Sequence, residues 1–260
     1  MKTAVFLSVR EKATRLPKKI LMEIGGRTVI EHLIDRLKTA ERPDMIVLCT
    51  SVHPDDAILA EIAEKNGIEA FRGSEDDKLD RYLQAAKRFG VDFMVIVDGD
   101  DIFCDAGYID RTIERFEKTG ADFIATKGLP LGAASTGLKL NALEKACEIK
   151  AQNDTEVWGG YFTGTGLFKV EYIEADPEVR RPDIRMTLDY QEDFDFFKRV
   201  FDELYAPGRI FSLGEIISLI EKKPEIAGIN KGVQKLYEEN LKRHTKIALK
   251  EKYKDKGGKK

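Results

Sequence analysis

The sequence of 260 residues is poor in the residues that build metal centres and disulfide frameworks. It contains three cysteines, three histidines and one tryptophan. Because Cys49, Cys104 and Cys147 are odd in number, widely spaced and without a Cys-x-x-Cys pair, we expect neither disulfides nor a cysteine-based zinc site. We interpret the three cysteines as reduced thiols of a cytoplasmic protein. The histidines have no Cys or carboxylate partner at ligand spacing, so they predict no zinc site either.

Long apolar stretches are also missing. Phe93–Val97 and Ile216–Ile220 are among the longest runs, and a membrane-spanning helix needs roughly 20 apolar residues. We therefore expect no membrane span. The sequence has no Gly-x-Gly-x-x-Gly and no Walker A motif, which argues against Rossmann-type dinucleotide binding and against a Walker ATPase.

The net charge is −3, but the charged residues are unevenly distributed along the chain. Between Lys242 and Lys260, nine Lys or Arg residues stand against two acidic residues, so the rest of the chain carries a charge of −10. A nucleic-acid-binding protein needs a basic face on its folded part, so we expect no nucleic-acid partner. We interpret residues 245–260 as a solvated end that is dispensable for chemistry.

Short apolar runs alternate with amphipathic helices, a pattern typical of an α/β protein with a largely parallel sheet. The predicted strands cover residues 3–9, 45–49, 68–71, 93–97 and 122–126. The predicted helices cover residues 28–40, 55–66, 74–90, 109–118, 143–149 and 193–204. Thr28 and Glu31 form a capping box, and Ser74 is the expected cap of the third helix. We expect a loop over 128–137 and extended or hairpin-like structure over 157–170.

The loop after the first strand concentrates positive charge. Its sequence over residues 8–19 is SVREKATRLPKK, with five cations within ten residues. Ligands of open α/β sheets bind at the carboxyl ends of the strands, where this loop begins. Backbone N–H groups and Thr14 can donate hydrogen bonds to a polyphosphate, while Arg15 and Lys19 neutralise its charge. Composition alone leaves a solvated run of charges as the alternative.

This loop resembles the R-x-x-S-T-R-L-P-G-K signature of the cytidylyltransferases that activate acidic sugars. These enzymes include the CMP-Kdo and CMP-sialic acid synthetases and the spore-coat polysaccharide cytidylyltransferases. The matching positions are Arg10, Thr14, Arg15, Leu16, Pro17 and Lys19. Ala13 replaces the usual small hydroxyl residue, and Lys18 replaces the usual glycine.

Three further stretches continue the resemblance in the family's order. Residues 71–82 (FRGSEDDKLDRY) are similar to its second nucleotide loop and the helix that follows. Residues 97–100 (VDGD) are similar to its metal motif, and residues 187–193 (TLDYQED) to its T-v-D-t-p-e-D motif. With these four stretches in order, the resemblance extends over roughly Met1 to Leu204.

The resemblance implies a fold and a reaction. The expected fold is a three-layer α/β sandwich with a mixed, mainly parallel sheet, as in the nucleotide-diphospho-sugar transferases. The expected reaction is transfer of CMP from CTP to an acidic sugar, a phosphonate or a phosphorylated acceptor, with release of pyrophosphate. It also implies Mg²⁺ as cofactor, a homodimer, and a nucleotidyltransferase domain over 1–230 followed by a basic helical extension over 231–260.

The resemblance also assigns roles to individual residues. It implies that Asp100 and Asp189 bind Mg²⁺, with Asp98 as an additional or substitute ligand, and that Arg15 and Lys19 act on the phosphates. The residues implied to bind the nucleotide are Arg10, Thr14, Arg15, Lys19, Arg72, Ser74, Asp80 and Arg81. The candidates for acceptor binding are Glu156, Tyr161 and Thr163.

A rival interpretation starts from the same acidic triplet. Asp98-Gly99-Asp100 after a buried strand is also typical of A-type glycosyltransferases, in which the metal binds the diphosphate of a nucleotide sugar. That alternative leaves the five cations of residues 10–19 unexplained, because a metal-bound diphosphate needs fewer of them. A nucleotide sensor without catalytic activity is a third possibility.

Overall fold

The computed structural model describes residues 1–11, 15–244 and 247–254, without the side chains of 241–244 and 254. The Thr14 assignment therefore lies outside the described residues. Within these ranges, none of the helices combines the length and the hydropathy of a membrane span. The strands are β1 (Thr3–Ser8), β2 (Glu23–Ile24), β3 (Arg27–Thr28), β4 (Met45–Ser51), β5 (Glu69–Gly73), β6 (Phe93–Asp98), β7 (Phe123–Lys127), β8 (Thr136–Lys139) and β9 (Val170–Glu174).

Helices separate most of these strands. They are α1 (Val29–Leu37), α2 (Ala57–Lys65), α3 (Lys78–Phe89), α4 (Ala106–Thr119), α5 (Leu140–Ile149), α6 (Gly160–Thr163), α7 (Gln191–Leu204), α8 (Leu213–Lys222), α9 (Glu225–Gly228), α10 (Gln234–His244) and α11 (Glu251–Lys254). Short 3₁₀ helices cover Lys19–Leu21, Pro54–Asp56, Pro177–Val179 and Lys231–Val233. The predicted capping box at the start of α1 is present, with Thr28 and Glu31 bonded reciprocally.

Seven strands form one sheet in the order β5-β4-β1-β6-β8-β7-β9. All neighbouring pairs are parallel except those that β8 makes with β6 and β7. Ser8 and Asp98 are partners at the carboxyl ends of β1 and β6, so the loops that follow these two strands leave the sheet side by side. This register places the cationic loop next to the acidic triplet.

Alternating residues of the central strands enter two separate hydrophobic cores. Val5 and Val95 pack with α1, α4, α7 and α8 on one face, and Phe6 and Met94 pack with α3 and α5 on the other. This period-two division is the signature of a sheet buried on both faces. The predicted three-layer α/β sandwich with a mixed, mainly parallel sheet is confirmed.

Three local predictions were wrong. Strand β8 begins inside the predicted 128–137 loop, and residues 157–170 contain the short helix α6 instead of a hairpin. The cap of α3 is Asp77, whose side chain accepts a hydrogen bond from the amide of Asp80. Ser74 lies one turn earlier and accepts from the amide of Asp77.

Residues 247–253 are docked on the rest of the fold and do not extend freely into solvent. Lys150 and Leu249 form an antiparallel bridge, the Tyr161 hydroxyl donates to the carbonyl of Ala248 at 3.2 Å, and Tyr253 is buried. We name residues 247–253 the C-terminal strap. The expectation of a solvated end is therefore wrong for the strap; residues 245–246 and 255–260 lie outside the described residues.

Candidate active site

A cleft of about 670 Å³ opens at the carboxyl ends of β1 and β6. Of the predicted site residues, it is lined by Arg10, Arg15, Lys19, Arg81, Asp98, Asp100, Asp189 and Glu156. These residues come from five separate segments of the chain, and the sheet register explains why they meet. The cleft holds two groups of charges.

The first group, which we name the Lys19 cluster, consists of Lys19, Arg15, Asp100 and Asp189. The Lys19 ammonium donates to Asp100 Oδ2 at 2.6 Å and to Asp189 Oδ1 at 3.1 Å, and Arg15 also donates to Asp189 Oδ1. Burial raises the pKa of Asp100, and Lys19 opposes that rise only in part. Burial also disfavours the ionised form of Asp189, but Lys19 and Arg15 outweigh it and lower the pKa of Asp189 to about 2.

The second carboxylate oxygen of Asp189 faces away from the cleft. It accepts a hydrogen bond from Arg185 Nη2 at 3.1 Å, and Arg185 also holds Asp193 through two bonds of 2.8 and 2.9 Å. Asp193 in turn accepts from the backbone amides of Asp189 and Tyr190. Asp189 is thus fixed from behind, with Oδ1 directed into the cleft.

The second group, which we name the Lys78 cluster, consists of Lys78, Arg10, Asp98 and Glu156. Lys78 Nζ lies 3.0 Å from Asp98 Oδ1 and 3.2 Å from Glu156 Oε1, and Arg10 donates to Glu156 Oε2 at 2.6 Å. Partial desolvation raises the pKa of Glu156, but Lys78 and Arg10 outweigh it and hold that pKa below its ordinary value. The carboxylates of Asp98 and Glu156 remain about half exposed, at 46% and 47%.

Two backbone features position the loops that carry these groups. Lys18 adopts a left-handed conformation with φ of 55°. Glycine adopts this conformation readily, and glycine is the usual residue at this position of the family signature. Lys18 precedes the 3₁₀ turn that directs Lys19 inward. Gly99 allows the two loops to approach each other, since a Cβ there would lie 2.6 Å from Val9 Cγ2. A side chain at position 99 would separate the loops.

Arg81 is fully buried, lines the cleft and has N–H donors without a partner among the described residues. Its Nη1 donates to the carbonyl of Ser74 at 2.9 Å, but its Nε and Nη2 have no hydrogen-bond partner among the described residues. Leaving buried donors of a charged group unpaired is costly. A ligand with acceptor atoms would remove that cost.

The remaining predicted residues do not line the cleft. Arg72 donates to the backbone carbonyls of Ser51, Val52 and His53, and Asp80 accepts from Gln84 along α3. Ser74 lies in the turn before α3. Tyr161 is buried in the second core and Thr163 is bonded to the carbonyl of Gly159, so neither side chain reaches the cleft as folded.

Three residues of the site were not predicted, namely Lys78, Arg185 and Tyr237. Lys78 had a usable signal, because it is a cation at the first turn of a helix in a motif that resembles a nucleotide loop. Arg185 had none, because it precedes Asp189 in an irregular segment without periodicity. Tyr237 is 48 positions beyond Asp189 in the sequence, and only the fold brings it to the same cleft.

Comparison with known protein families assigns the chain to one of them. The family model for cytidylyltransferases matches residues 4–216. The chain belongs to the cytidylyltransferase family. This assignment favours nucleotidyl transfer over the glycosyltransferase interpretation of the acidic triplet, and the matched range contains every predicted site residue.

Individual relatives agree with the assignment. An uncharacterized protein of Methanocaldococcus jannaschii is 33% identical over 92% of this chain and 99% of its own length. The spore coat polysaccharide biosynthesis protein SpsF of Bacillus subtilis is 27% identical, over 85% of this chain and 95% of its own. A solved cytidylyltransferase structure from Leptospira borgpetersenii superposes with a TM-score of 0.79 at 28% identity, covering 87% of this chain and 97% of that one. More distant relatives include bacterial 3-deoxy-manno-octulosonate cytidylyltransferases.

Proposed function

We propose that the protein transfers CMP from CTP to an acidic acceptor, with magnesium bound by Asp100 and Asp189. The observation that carries the proposal is the Lys19 cluster, in which two carboxylates and two cations converge in one cleft. A polyphosphate and its metal ion together require both kinds of group. The family assignment supplies the reaction type.

The residues present fit a magnesium ion. One oxygen of Asp100 and one of Asp189 face the same point, since both lie within hydrogen-bond distance of Lys19 Nζ. Among the described residues, no group of three or more His, Cys, Asp or Glu side chains is arranged to bind a metal. Magnesium usually takes one or two protein carboxylates and completes its coordination with substrate phosphates and water, so two carboxylates suffice.

The chain's own residues would then perform positioning and charge neutralisation. An acceptor oxygen attacks the α-phosphate, the bond to the β-phosphate breaks, and pyrophosphate leaves. Lys19 and Arg15 leave the carboxylates of the Lys19 cluster to neutralise the leaving pyrophosphate, and Arg10 contacts the phosphates near the end of β1. When bound, magnesium withdraws electron density from the phosphate oxygens.

The nucleoside would occupy the end of the cleft beside α3. Arg81 offers two unpaired buried donors there, which suits the acceptor atoms of a pyrimidine base or a ribose. Arg72 and Ser74 would act through the backbone of the turn before α3, given the bonds they make. Asp80 points along the outer side of α3, so a contact with nucleotide requires the turn to move.

The acceptor would lie near Glu156 and the wall formed by Trp158 and Gly159. The names of the relatives support an acidic sugar used in polysaccharide synthesis. Tyr161 and Thr163 remain acceptor candidates that need a rearrangement of α6. We further propose a homodimer that works in the cytoplasm; sizing chromatography with light scattering tests the dimer.

The test is pyrophosphate release. The protein is incubated with CTP, Mg²⁺ and a panel of 3-deoxy-manno-octulosonate, other acidic sugars, phosphonates and sugar phosphates. We expect release that needs both CTP and one of these acceptors, and weaker activity with ATP. If no acceptor gives release, and UDP or GDP with Mn²⁺ raises the melting temperature where CTP does not, the proposal is wrong.

A further inference from the structure

The segment after α9 reaches the site from outside the range that the family model matches. That range ends at residue 216, whereas Asn230, Gln234 and Tyr237 all contact the Arg185–Asp193 pair behind Asp189. Tyr237 and Asn240 also line the cleft itself. The Arg185–Asp193 pair, which lies inside the matched range, is therefore covered by a later part of the chain.

Each of the three residues contacts a different part of the pair. Asn230 Nδ2 donates to Asp193 Oδ1 at 2.9 Å and to the backbone carbonyl of Arg185 at 3.1 Å. Gln234 Oε1 lies 3.4 Å from Arg185 Nη1. The Tyr237 ring covers the Arg185 guanidinium at 4.6 Å from its carbon to the ring centroid. Arg185 is only about 3% exposed, so this ring also keeps water from it.

These contacts matter because of how Asp189 is oriented. Its Oδ2 is bonded to Arg185, and its Oδ1 is left for the cleft. If Arg185 shifted, Oδ2 would lose this hydrogen bond and the carboxylate could rotate, so that Oδ1 would no longer be held in its direction toward the metal. Supporting residues of this kind commonly affect metal affinity by about 10- to 100-fold.

We propose that Asn230, Gln234 and Tyr237 are positioning residues of the magnesium site, holding Asp189 through Arg185 and Asp193. The proposal rests on the proposed function, since it takes Asp189 as a metal ligand. It makes the C-terminal segment part of the active site, although none of its residues needs to touch the metal. Tyr237 gives the sharpest test, because its ring can be kept or removed without unpairing a buried charge.

The experiment measures Mn²⁺ binding by electron paramagnetic resonance in the presence of CTP, with full-length protein. Tyr237→Ala removes the ring, Tyr237→Phe keeps it, and Glu239→Ala changes an exposed residue of the same helix as the matched control. We expect Tyr237→Ala to weaken Mn²⁺ binding about tenfold, the factor that ~1.4 kcal/mol represents. Tyr237→Phe and Glu239→Ala should stay within about twofold of wild type.

The melting temperature without ligand separates positioning from simple stability. If Tyr237→Ala lowers the melting temperature but binds Mn²⁺ as Glu239→Ala does, Tyr237 is structural and the inference is wrong. If Tyr237→Phe loses affinity as strongly as Tyr237→Ala, the ring contact with Arg185 is not the cause and the inference is also wrong. If wild type binds no Mn²⁺ with CTP, the proposed function falls first and this inference with it.

Discussion

The two charged clusters of the cleft contain the same set of groups, a lysine between two carboxylates with an arginine beside them, in different surroundings. In the Lys19 cluster, Asp189 is 4% exposed and has Arg185 behind it. In the Lys78 cluster, the side chains of both acidic residues are about half exposed to solvent. The same combination of charged groups therefore differs between the two clusters in its exposure to solvent.

This difference in exposure matters when the cations leave the carboxylates and bind phosphate instead. A buried carboxylate that loses its only cation suffers a large desolvation penalty. Because Arg185 remains bonded to Asp189, Lys19 and Arg15 can leave without stranding that charge. The acidic side chains of the Lys78 cluster are about half exposed, so solvent can stabilise their charge without a further cation behind them.

The largest effect should separate the two aspartates of the acidic triplet. We expect Asp100→Asn to lower turnover by about 100-fold or more, because a neutral amide is a poor magnesium ligand and the reacting phosphates would lose a strong electrostatic term. Asp98→Asn should cost less than about tenfold, because Asp98 lies in the Lys78 cluster. Pyrophosphate release at saturating Mg²⁺ measures both; equal losses would remove the distinction between the clusters.

The two lysines should differ in how they recognise phosphate. Lys19→Ala should erase most of the rise in melting temperature that CTP with Mg²⁺ gives beyond CMP, because the missing cation would face the outer phosphates. Lys78→Ala should reduce the CTP and CMP shifts alike. Ligand at about 100 times its dissociation constant stabilises by roughly 2.7 kcal/mol, which a thermal-shift assay detects. A Lys19→Ala variant that retains the full CTP shift would contradict the assignment.

Much of the fold and part of the site could be predicted from sequence because the signals are local. Buried strands and amphipathic helices produce clear periodicity. Asp100 closely follows β6, and Lys19 and Asp189 lie in motifs that resemble those of the family. Strand β8 was missed because Gly137 breaks its pattern. That glycine is required by packing, since a Cβ there would lie 2.5 Å from Thr112 Cγ2 and 2.6 Å from the Phe93 ring.

The support behind Asp189 could not be predicted for a different reason. Arg185, Asn230 and Tyr237 are joined by side-chain contacts between distant segments, and no spacing rule connects them. The docked strap was missed because its charged composition resembles a solvated end, while its binding depends on a backbone bridge to Lys150 and on the burial of Tyr253. Composition does not encode either contact.

Acid should affect the two clusters unequally. The folded pKa of Asp189, about 2, lies below the unfolded value of about 3.9, so its ionised form adds stability that is present above about pH 4 and is lost as the pH falls toward 2. The stability difference between wild type and Asp189→Asn should therefore shrink on acidification, measured by urea unfolding at pH 5 and pH 3. Glu156→Gln should show a weaker trend, because solvent screens its half-exposed charge. Equal trends would contradict the comparison.

The smallest effect should come from removing the strap, and it should fall on the Lys78 cluster alone. The strap bonds to Lys150 and Tyr161, and Lys150 is paired with Asp77, the cap of the helix that begins at Lys78. Truncation after Thr245 should therefore raise KM for CTP about threefold and lower the melting temperature by about 2–4 °C per kcal/mol lost. Turnover and Mn²⁺ affinity should stay within about twofold, because α10 remains in place behind Asp189.

Truncation after Lys254 is the matched control and should behave as wild type. A truncation after Thr245 that weakens Mn²⁺ binding more than it raises KM would mean that the strap supports the Lys19 cluster instead.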